Sequence, residues 1–428
     1  MSAGAILAWL GHNSFEMLAT LAACEQLGAV LLPLNWRLTA AELAPIVQHA
    51  GAGHLLGTPE CAALAAEVKA RAAPKPGPAE GVQAGDLLLV YTSGTTGEPK
   101  GAMHTAAGMA ANLAAAVEAQ GLDASSRVLS VLPMFHMGGL AIQTLPALSV
   151  GAAVRLQARF DPGAWFDDVE QWRPTTTLLV PAVMRALVEH PRWAGADLSS
   201  LAFVAAGSQI VPRALIEAFH ARGIPVAQVY GGTETGPVSI VLRPGEAMAH
   251  VGHAGRPALG VQARLAGDGE ILLKAANLMR GYHRQKPGAA PSFDDEGWFH
   301  TGDLAVQHAE GFIEVVGRSK ELIISGGENI HPAEIESLVG TRPEVADCAV
   351  VGLPDARWGE VPVLAVLLKP GTVLDEPALR RLFDERLARF KHPRRVVVCQ
   401  TLPRTALGKV QRAVLARELA DPSGRSGA

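Results

Sequence analysis

The sequence predicts an α/β protein. A large N-terminal domain, residues 1–317, is built of layered α/β subdomains and ends in a smaller β-rich part at about 240–317; a small α+β C-terminal domain, 318–428, follows. Three observations predict this. The chain opens on a β-α-β-α-β alternation, and a second alternation fills residues 106–235. Beyond Gly252 the strands shorten and Gly turns multiply, until the pattern changes again at Gly317-Arg318-Ser319-Lys320. Alternating strands and helices argue for parallel sheets covered by helices.

Gly4–Leu10 reads as a strand. Asn13 stands three residues before Glu16, a capping-box spacing, and a helix follows to about Leu27 with Gly28 as its stop. Ala29–Leu34 is the second strand, Thr39 and Glu42 cap a helix to about His49, and His54–Gly57 is the third strand. Ala73–Gly85, rich in Pro, Gly and Ala, is a linker or surface loop. An Ala-rich helix covers Ala106–Gln120, and Asp161-Pro162 opens another, with Asp as cap and Pro in the first turn. Strands at Val128–Leu132, Thr177–Val180, Leu201–Ala206 and Val226–Tyr230 complete the second layer, with helices starting near Pro181 and Pro212. In the C-terminal part, strands fall near 321–324, 348–352, 363–368 and 396–399, and helices near 332–339 and 375–389.

Hydrophobic residues make up 49% of the 428 and charged ones 18%, enough for a large core and against disorder. A net charge of −4 carries no basic signature for nucleic acid. Four widely spaced cysteines fit free thiols in a reducing, cytoplasmic compartment, and the N-terminus lacks a basic signal-peptide region. The uncharged run ending near Val154 contains Pro133, His136, Gln143 and Pro146, so it reads as buried strand and helix, not a membrane span.

The chemistry centres on Leu87–Gly101, LLLVYTSGTTGEPKG. An apolar strand runs into a loop of Thr, Ser and Gly that ends at Lys100. Such residues let backbone N–H groups approach an oxyanion closely, and Lys100 adds a point charge, so the loop suits a polyphosphate. It is not the common P-loop: the spacing from Gly94 to Lys100 differs, and Pro99 stands where glycine belongs. Tyr230-Gly231-Gly232-Thr233-Glu234-Thr235-Gly236 follows a strand directly, at the end where such sheets bind ligands. Tyr230 can stack on a base, and Glu234 is a hard oxygen ligand suited to Mg²⁺ beside phosphates. In Gly297-Trp298-Phe299-His300-Thr301-Gly302-Asp303, the Asp303 carboxylate can accept two hydrogen bonds from a ribose diol. His250-x-x-His253 offers two imidazoles with no third ligand nearby and is read as no metal site.

These stretches, with GRSKELIISGGEN and PRTALGK, stand in the order seen in the adenylate-forming superfamily, and the chain resembles its acyl-CoA synthetases over nearly its whole length. The resemblance implies an AMP-forming acid–thiol ligase. A carboxylate attacks the α-phosphate of ATP to give acyl-AMP and pyrophosphate; the coenzyme A thiol then displaces AMP. It implies that Thr92, Ser93, Gly94, Thr95, Thr96, Gly97 and Lys100 hold the β- and γ-phosphates, with Thr95 and Glu234 near Mg²⁺. Gly207, Ser208, Gln209, Tyr230, Gly231, Gly232 and Thr233 surround the adenylate, Asp303 and Arg318 grip the ribose, and Lys409 bridges the attacking carboxylate and the α-phosphate. Lys320 matches a hinge on which the mobile C-terminal domain swings, bringing Ser325-Gly326-Gly327 to the thiol tunnel in the second half-reaction. Trp358 and Phe390 would flank the coenzyme A nucleotide, and Arg37 and Arg394 would meet its phosphates. The acyl pocket would be lined by His136, Met137, Gly138 and Gly139, by Val180 and Ala182, by Ala205 and Ala206, and by Gly231 and Gly232, with His136 as gate.

This lining contains no Arg or Lys, which disfavours a dicarboxylate and suits a fatty or other apolar monocarboxylic acid. The sequence departs from the superfamily's pattern in its short leading section, in its loop at 59–85, in Gly232 where a bulky residue is common, in Ala205–Gln209, and in His392 where aryl ligases carry arginine. A homodimer contact could restore packing at the shortened edge. The alternatives are an aryl- or succinylbenzoate-CoA ligase, an enzyme loading a carrier protein, and a non-catalytic nucleotide- or acyl-binding paralogue.

Overall fold

The computed structural model describes residues 1–93, 99–285, 293–325, 328–355, 358–405 and 408–420. It is mixed α/β, with four sheets among the described residues.

The opening alternation forms the parallel half of a six-stranded sheet. Ile6–Leu10 pairs in parallel with both Val30–Leu34 and His54–Gly57, and Val30–Leu34 pairs in parallel with Asp86–Ser93. Its strands are apolar on both faces because helices Phe15–Leu27 and Ala40–Ala50 pack against them. The predicted Thr39/Glu42 capping box forms in full. A helix at Ala62–Ala72, not foreseen, occupies the short loop before the linker. The strand after the phosphate loop was also not foreseen: Pro99–Thr105 runs antiparallel to Asp86–Ser93, with Ser93 opposite Pro99.

The second sheet has seven strands. Its parallel centre runs Val226–Tyr230, Phe203–Gly207, Thr176–Leu179, Arg127–Ser130 and Ala153–Leu156. Trp165, Phe166 and Phe219, all fully buried, come from its covering helices. A four-stranded antiparallel sheet follows: Gln262–Leu265, Glu270–Lys274, Phe299–Gln307 and Ile313–Arg318.

One 3₁₀ turn, Ser319–Glu321, separates that sheet from the C-terminal one. Here the strand period of two is explicit. Val350, Leu364 and Val366 face helices Pro332–Val339 and Glu376–Arg386, while Ala349, Val351, Val363 and Ala365 face helix Arg412–Ala420. Among the described residues, no hydrophobic cluster crosses Ser319–Glu321. Among the described residues, no helix is long and apolar enough to cross a membrane either.

Asn13 departs from its expected role. Ser14 caps the first helix, accepting from the Met17 N–H. Asn13 is buried instead: its Nδ2 donates to the carbonyls of Leu132 (2.9 Å) and Gln157 (3.1 Å), and its Oδ1 accepts from the Met134 N–H at 2.8 Å. It ties the end of the first strand to the turn that leads to His136. Asn13→Ala leaves three buried backbone groups without their partner, and is expected to cost about 2–4 kcal/mol in urea unfolding. A loss below about 0.5 kcal/mol would mean water substitutes freely.

Candidate active site

Four turns of the second sheet begin at the carboxyl ends of neighbouring parallel strands: Pro133–Gly139, Val180, Ser208–Gln209 and Gly231–Gly236. This is the crevice position where such sheets bind ligands. The phosphate hairpin of the first sheet meets it. Thr92 Oγ1 donates to Glu234 Oε1 at 3.4 Å, and the Tyr282 hydroxyl donates to the same oxygen at 3.1 Å. The Lys100 ammonium lies 5.2 Å from the centre of the Tyr282 ring. A carboxylate beside a threonine hydroxyl is a hard-oxygen set that fits Mg²⁺. Gly94, Thr95, Thr96 and Gly97 lie outside the described residues, and only the backbone of Ser93 is described. His104 is buried, which pushes its pKa down against the opposing effect of the Thr233 backbone.

At the nucleotide end, Asp303 Oδ1 receives Arg318 Nε at 2.8 Å and Oδ2 receives the Tyr230 hydroxyl at 2.9 Å. Asp303 and Arg318 are direct cross-strand partners. Burial raises the Asp303 pKa against the pull of Arg318, and the Asp303 charge raises that of Arg318. The expected ribose partner is thus already oriented, with lone pairs to spare for a diol. Ser208, exposed in the adjoining turn, holds a left-handed φ of 68°.

The glycines divide into two kinds. A Cβ on Gly207 would stand 2.4 Å from the Val229 carbonyl oxygen, on Gly231 2.4 Å from that of Pro237, and on Gly139 2.3 Å from that of Pro133. These positions need glycine for backbone packing alone. At Gly232 and Gly138 nothing stands closer than 3.4 Å (Glu234 Oε2 and Ser208 Oγ, respectively), so a Cβ would fit in ordinary contact and backbone packing does not demand glycine there. Ala205, Ala206 and Met137 are buried in the core and present almost no surface, while Val180 is half-buried and Ala182 exposed. Of the expected acyl-pocket residues, the turn ends carry the accessible surface.

His136 is flanked by Phe135, ring centres 4.2 Å apart, and Phe135 by Trp36 at 6.4 Å. The Arg37 guanidinium lies over Trp36 (5.0 Å) and Phe135 (5.9 Å), and its charge acts on His136. The sequence reading left the lining without Arg or Lys; the fold sets Arg37 beside the gate, an effect of packing that spacing does not carry. Trp358 and Arg394 are grouped together on the C-terminal domain, guanidinium 5.5 Å from the ring centre, with Phe390 exposed nearby in sequence. Ser325 is buried; Gly326 and Gly327 lie outside the described residues.

Lys409 rides on a tight hairpin. Its N–H donates to Thr405 Oγ1 (3.2 Å), its carbonyl accepts from the Thr405 N–H (2.8 Å), and Gly408 takes the left-handed φ of 77° the turn requires. The ammonium stays in contact with water at the cleft but is crowded by protein. Burial and Arg318 lower its pKa, while Asp303, Glu234 and Glu321 oppose them. The charges that act on the Lys409 amine are thus those of Arg318, Asp303, Glu234 and Glu321.

Tyr282 escaped the sequence reading. The chain has only three tyrosines, and two of them donate to site carboxylates, a scarcity that could have marked it. The pair His250/His253 was read as lacking a third ligand; the fold brings His308 and Glu314 to His253. Those partners come from a hairpin more than fifty residues on, beyond the reach of local spacing.

The comparisons with known proteins show the class: the chain is an adenylate-forming enzyme and an acid–thiol ligase. Residues 2–283 match the AMP-binding enzyme family and 334–409 its C-terminal domain; the chain belongs to this family. It is similar to an indoleacetate–CoA ligase of Aromatoleum aromaticum (44% identity, 95% of this chain, 86% of the relative) and to a feruloyl-CoA synthase of Amycolatopsis (40%, covering 96% and 88%). Among solved structures it resembles O-succinylbenzoate coenzyme A synthetase of Bacillus subtilis in complex with ATP and magnesium, with TM-score 0.84, 30% identity and coverage of 98% and 90%.

Burial pushes three histidines down: His136 to about 3, and His104 and His283 to about 4. The folded protein therefore binds fewer protons than the unfolded chain below about pH 6.5. Stability is full above that pH and is lost as the pH falls toward 4. At pH 5 each histidine is expected to cost about 2 kcal/mol relative to pH 7.5. Urea midpoints at the two pH values check this; unchanged midpoints would contradict it.

Proposed function

We propose that the protein forms aryl-CoA thioesters, activating a planar aromatic acid with ATP and Mg²⁺ and passing the acyl group to coenzyme A. The open Gly232 position carries the reading. With Gly231 beside it, Gly232 gives a stretch of backbone without side chains, against which a planar ring can lie. The relatives named for indoleacetate and ferulate support it, as does the aromatic row Trp36–Phe135–His136 at the gate.

In the first half-reaction Lys409 draws the substrate carboxylate and the α-phosphate together, while Lys100 and the hairpin backbone take up the charge of the departing pyrophosphate. Glu234, with Thr95, would hold Mg²⁺, which supplies charge neutralisation at the phosphates. Asp303 and Arg318 fix the ribose. His136, held neutral, carries no charge into the acyl path. The second half-reaction needs the coenzyme A thiol where Lys409 has been. A swing about Lys320, within the turn at 319–321, exchanges Lys409 for the strand around Ser325. Trp358 and Arg394 then receive the coenzyme A nucleotide. The division of the apolar cores at that turn supports the swing, because few contacts must break.

Lys409→Ala is expected to lower carboxylate-dependent ATP–pyrophosphate exchange about a thousandfold while leaving thioester formation from supplied acyl-AMP within threefold. Equal losses in both would refute the role.

A panel of acids scored by AMP release tests the substrate class. Indole- and hydroxycinnamate-type acids should exceed fatty acids in kcat/KM. Gly232→Leu should lower aryl acids at least tenfold against acetate. A preference for a long aliphatic acid, insensitive to Gly232→Leu, would reject the aryl reading.

A further inference from the structure

Away from the crevice, His253, His308 and Glu314 each offer a ligand atom, all within 4.8 Å of one another. We propose that they form a second metal site for a first-row divalent ion of the borderline class, Zn²⁺ foremost, which clips the four-stranded sheet to the seven-stranded one.

Two imidazoles and a carboxylate make up the donor set of three-ligand zinc sites, whose fourth position is open to water. The set discriminates against the Mg²⁺ expected at the phosphates, because Mg²⁺ prefers all-oxygen ligands. His308 Nε2 already lies 2.7 Å from Glu314 Oε2, and the rings of His253 and His308 stand 4.6 Å apart at 74°. Ligand atoms around a tetrahedral ion with bonds of about 2.0–2.1 Å lie roughly 3.4 Å apart. Side-chain rotations alone can therefore close the site. His253 Nδ1 is sealed from solvent with no hydrogen-bond partner among the described residues. A ring nitrogen in that position is what a metal ion satisfies, directly or by fixing the tautomer of the imidazole.

The backbone around the site is anchored on all sides. The His253 carbonyl accepts from Gln228 Nε2 at 2.7 Å, which ties it to strand Val226–Tyr230. The next residue, Ala254, donates to the Ile313 carbonyl, and the Ile313 N–H returns a bond to Gly255, both at 2.8 Å. His308 closes the turn between strands Phe299–Gln307 and Ile313–Arg318, with its N–H on the Phe312 carbonyl at 2.7 Å. Phe312 beneath is stacked on His250 at 3.8 Å and 18°, giving the site an apolar floor.

Its location gives the clip a consequence. His308 and Glu314 sit near the turn of the hairpin whose open end holds Asp303 against Arg318. Glu314 and Arg318 belong to one strand, about 13 Å apart at the strand rise. An ion at the turn fixes the hairpin to the strand that ends in Tyr230, the third member of the ribose-side group. The inference does not depend on which acid the enzyme activates.

The test uses the full chain, stripped with chelator, with Co²⁺ and Zn²⁺ added alone. Expected is one equivalent of Co²⁺ with visible d–d absorption, displaced by Zn²⁺ and undiminished by excess Mg²⁺. Binding should weaken at least a hundredfold in both His253→Ala and His308→Ala, and Zn²⁺ should raise the Tm by about 2–4 °C. His250→Ala, which removes only the floor, should keep Co²⁺ binding within tenfold. Glu314→Gln, which keeps the shape of the side chain, guards against misfolding as the cause and should still weaken binding. Absence of a Co²⁺ spectrum at 100 μM ion, or a spectrum that survives the His253 and His308 substitutions, overturns the proposal.

Discussion

The nucleotide end of the crevice depends on a single carboxylate. Asp303 is almost buried, and burial alone would favour its neutral form. Arg318 across the hairpin and the Tyr230 hydroxyl from the second sheet supply opposing interactions, one on each oxygen. Three structural facts are thereby joined. Tyr230 of the second sheet is bonded to the third, both Asp303 oxygens have a partner, and the strand ends at Arg318, directly before the turn at Ser319–Glu321. Removing the guanidinium would leave a buried charge with only a hydroxyl for company, which is why such a pair fails asymmetrically.

Local rules carried much of the fold into the sequence. The Thr39/Glu42 box, the Asp161-Pro162 start and the glycine stop at Gly28 act within four residues, and all formed. Asn13 shows where locality fails. Its spacing to Glu16 satisfies a capping rule, yet Ser14 one residue on caps equally well and frees Asn13 for three long-range bonds. Nothing in the neighbourhood of Asn13 reveals that the turn at 132–134 needs a partner. The same holds for Arg37, whose guanidinium lies over Trp36 and Phe135, rings that meet edge to face from distant parts of the chain. The hairpin at Pro99–Thr105 was hidden for another reason: a polar, glycine-bearing segment does not look like a strand until Asp86–Ser93 supplies its ladder.

The candidate site was legible wherever chemistry and backbone demanded the same residue, and ambiguous where the two coincided by accident. Gly207 and Gly231 look like room for a ligand, but their absent side chains are required by the Val229 and Pro237 carbonyls. Gly232 has no such obligation. It is the one position in that motif whose lack of a side chain is left for function to explain, and it was visible in the sequence only as an oddity.

The tail lysine brings the electrostatic and architectural arguments together. An ammonium crowded by protein and by Arg318 loses part of its preference for the charged form, and Asp303 and Glu234 restore some of it. Such a balance makes its charge most useful when anionic substrate is present, for then a phosphate and a carboxylate replace water around it. The same balance makes the amine cheap to withdraw, since no core cluster holds its lobe to the larger domain among the described residues. A lysine held by apolar packing would be positioned as well but could not leave. In the proposed reaction, contact made mainly through charge, at a cleft that empties when pyrophosphate departs, would couple the chemistry of the first step to release of the lobe for the second.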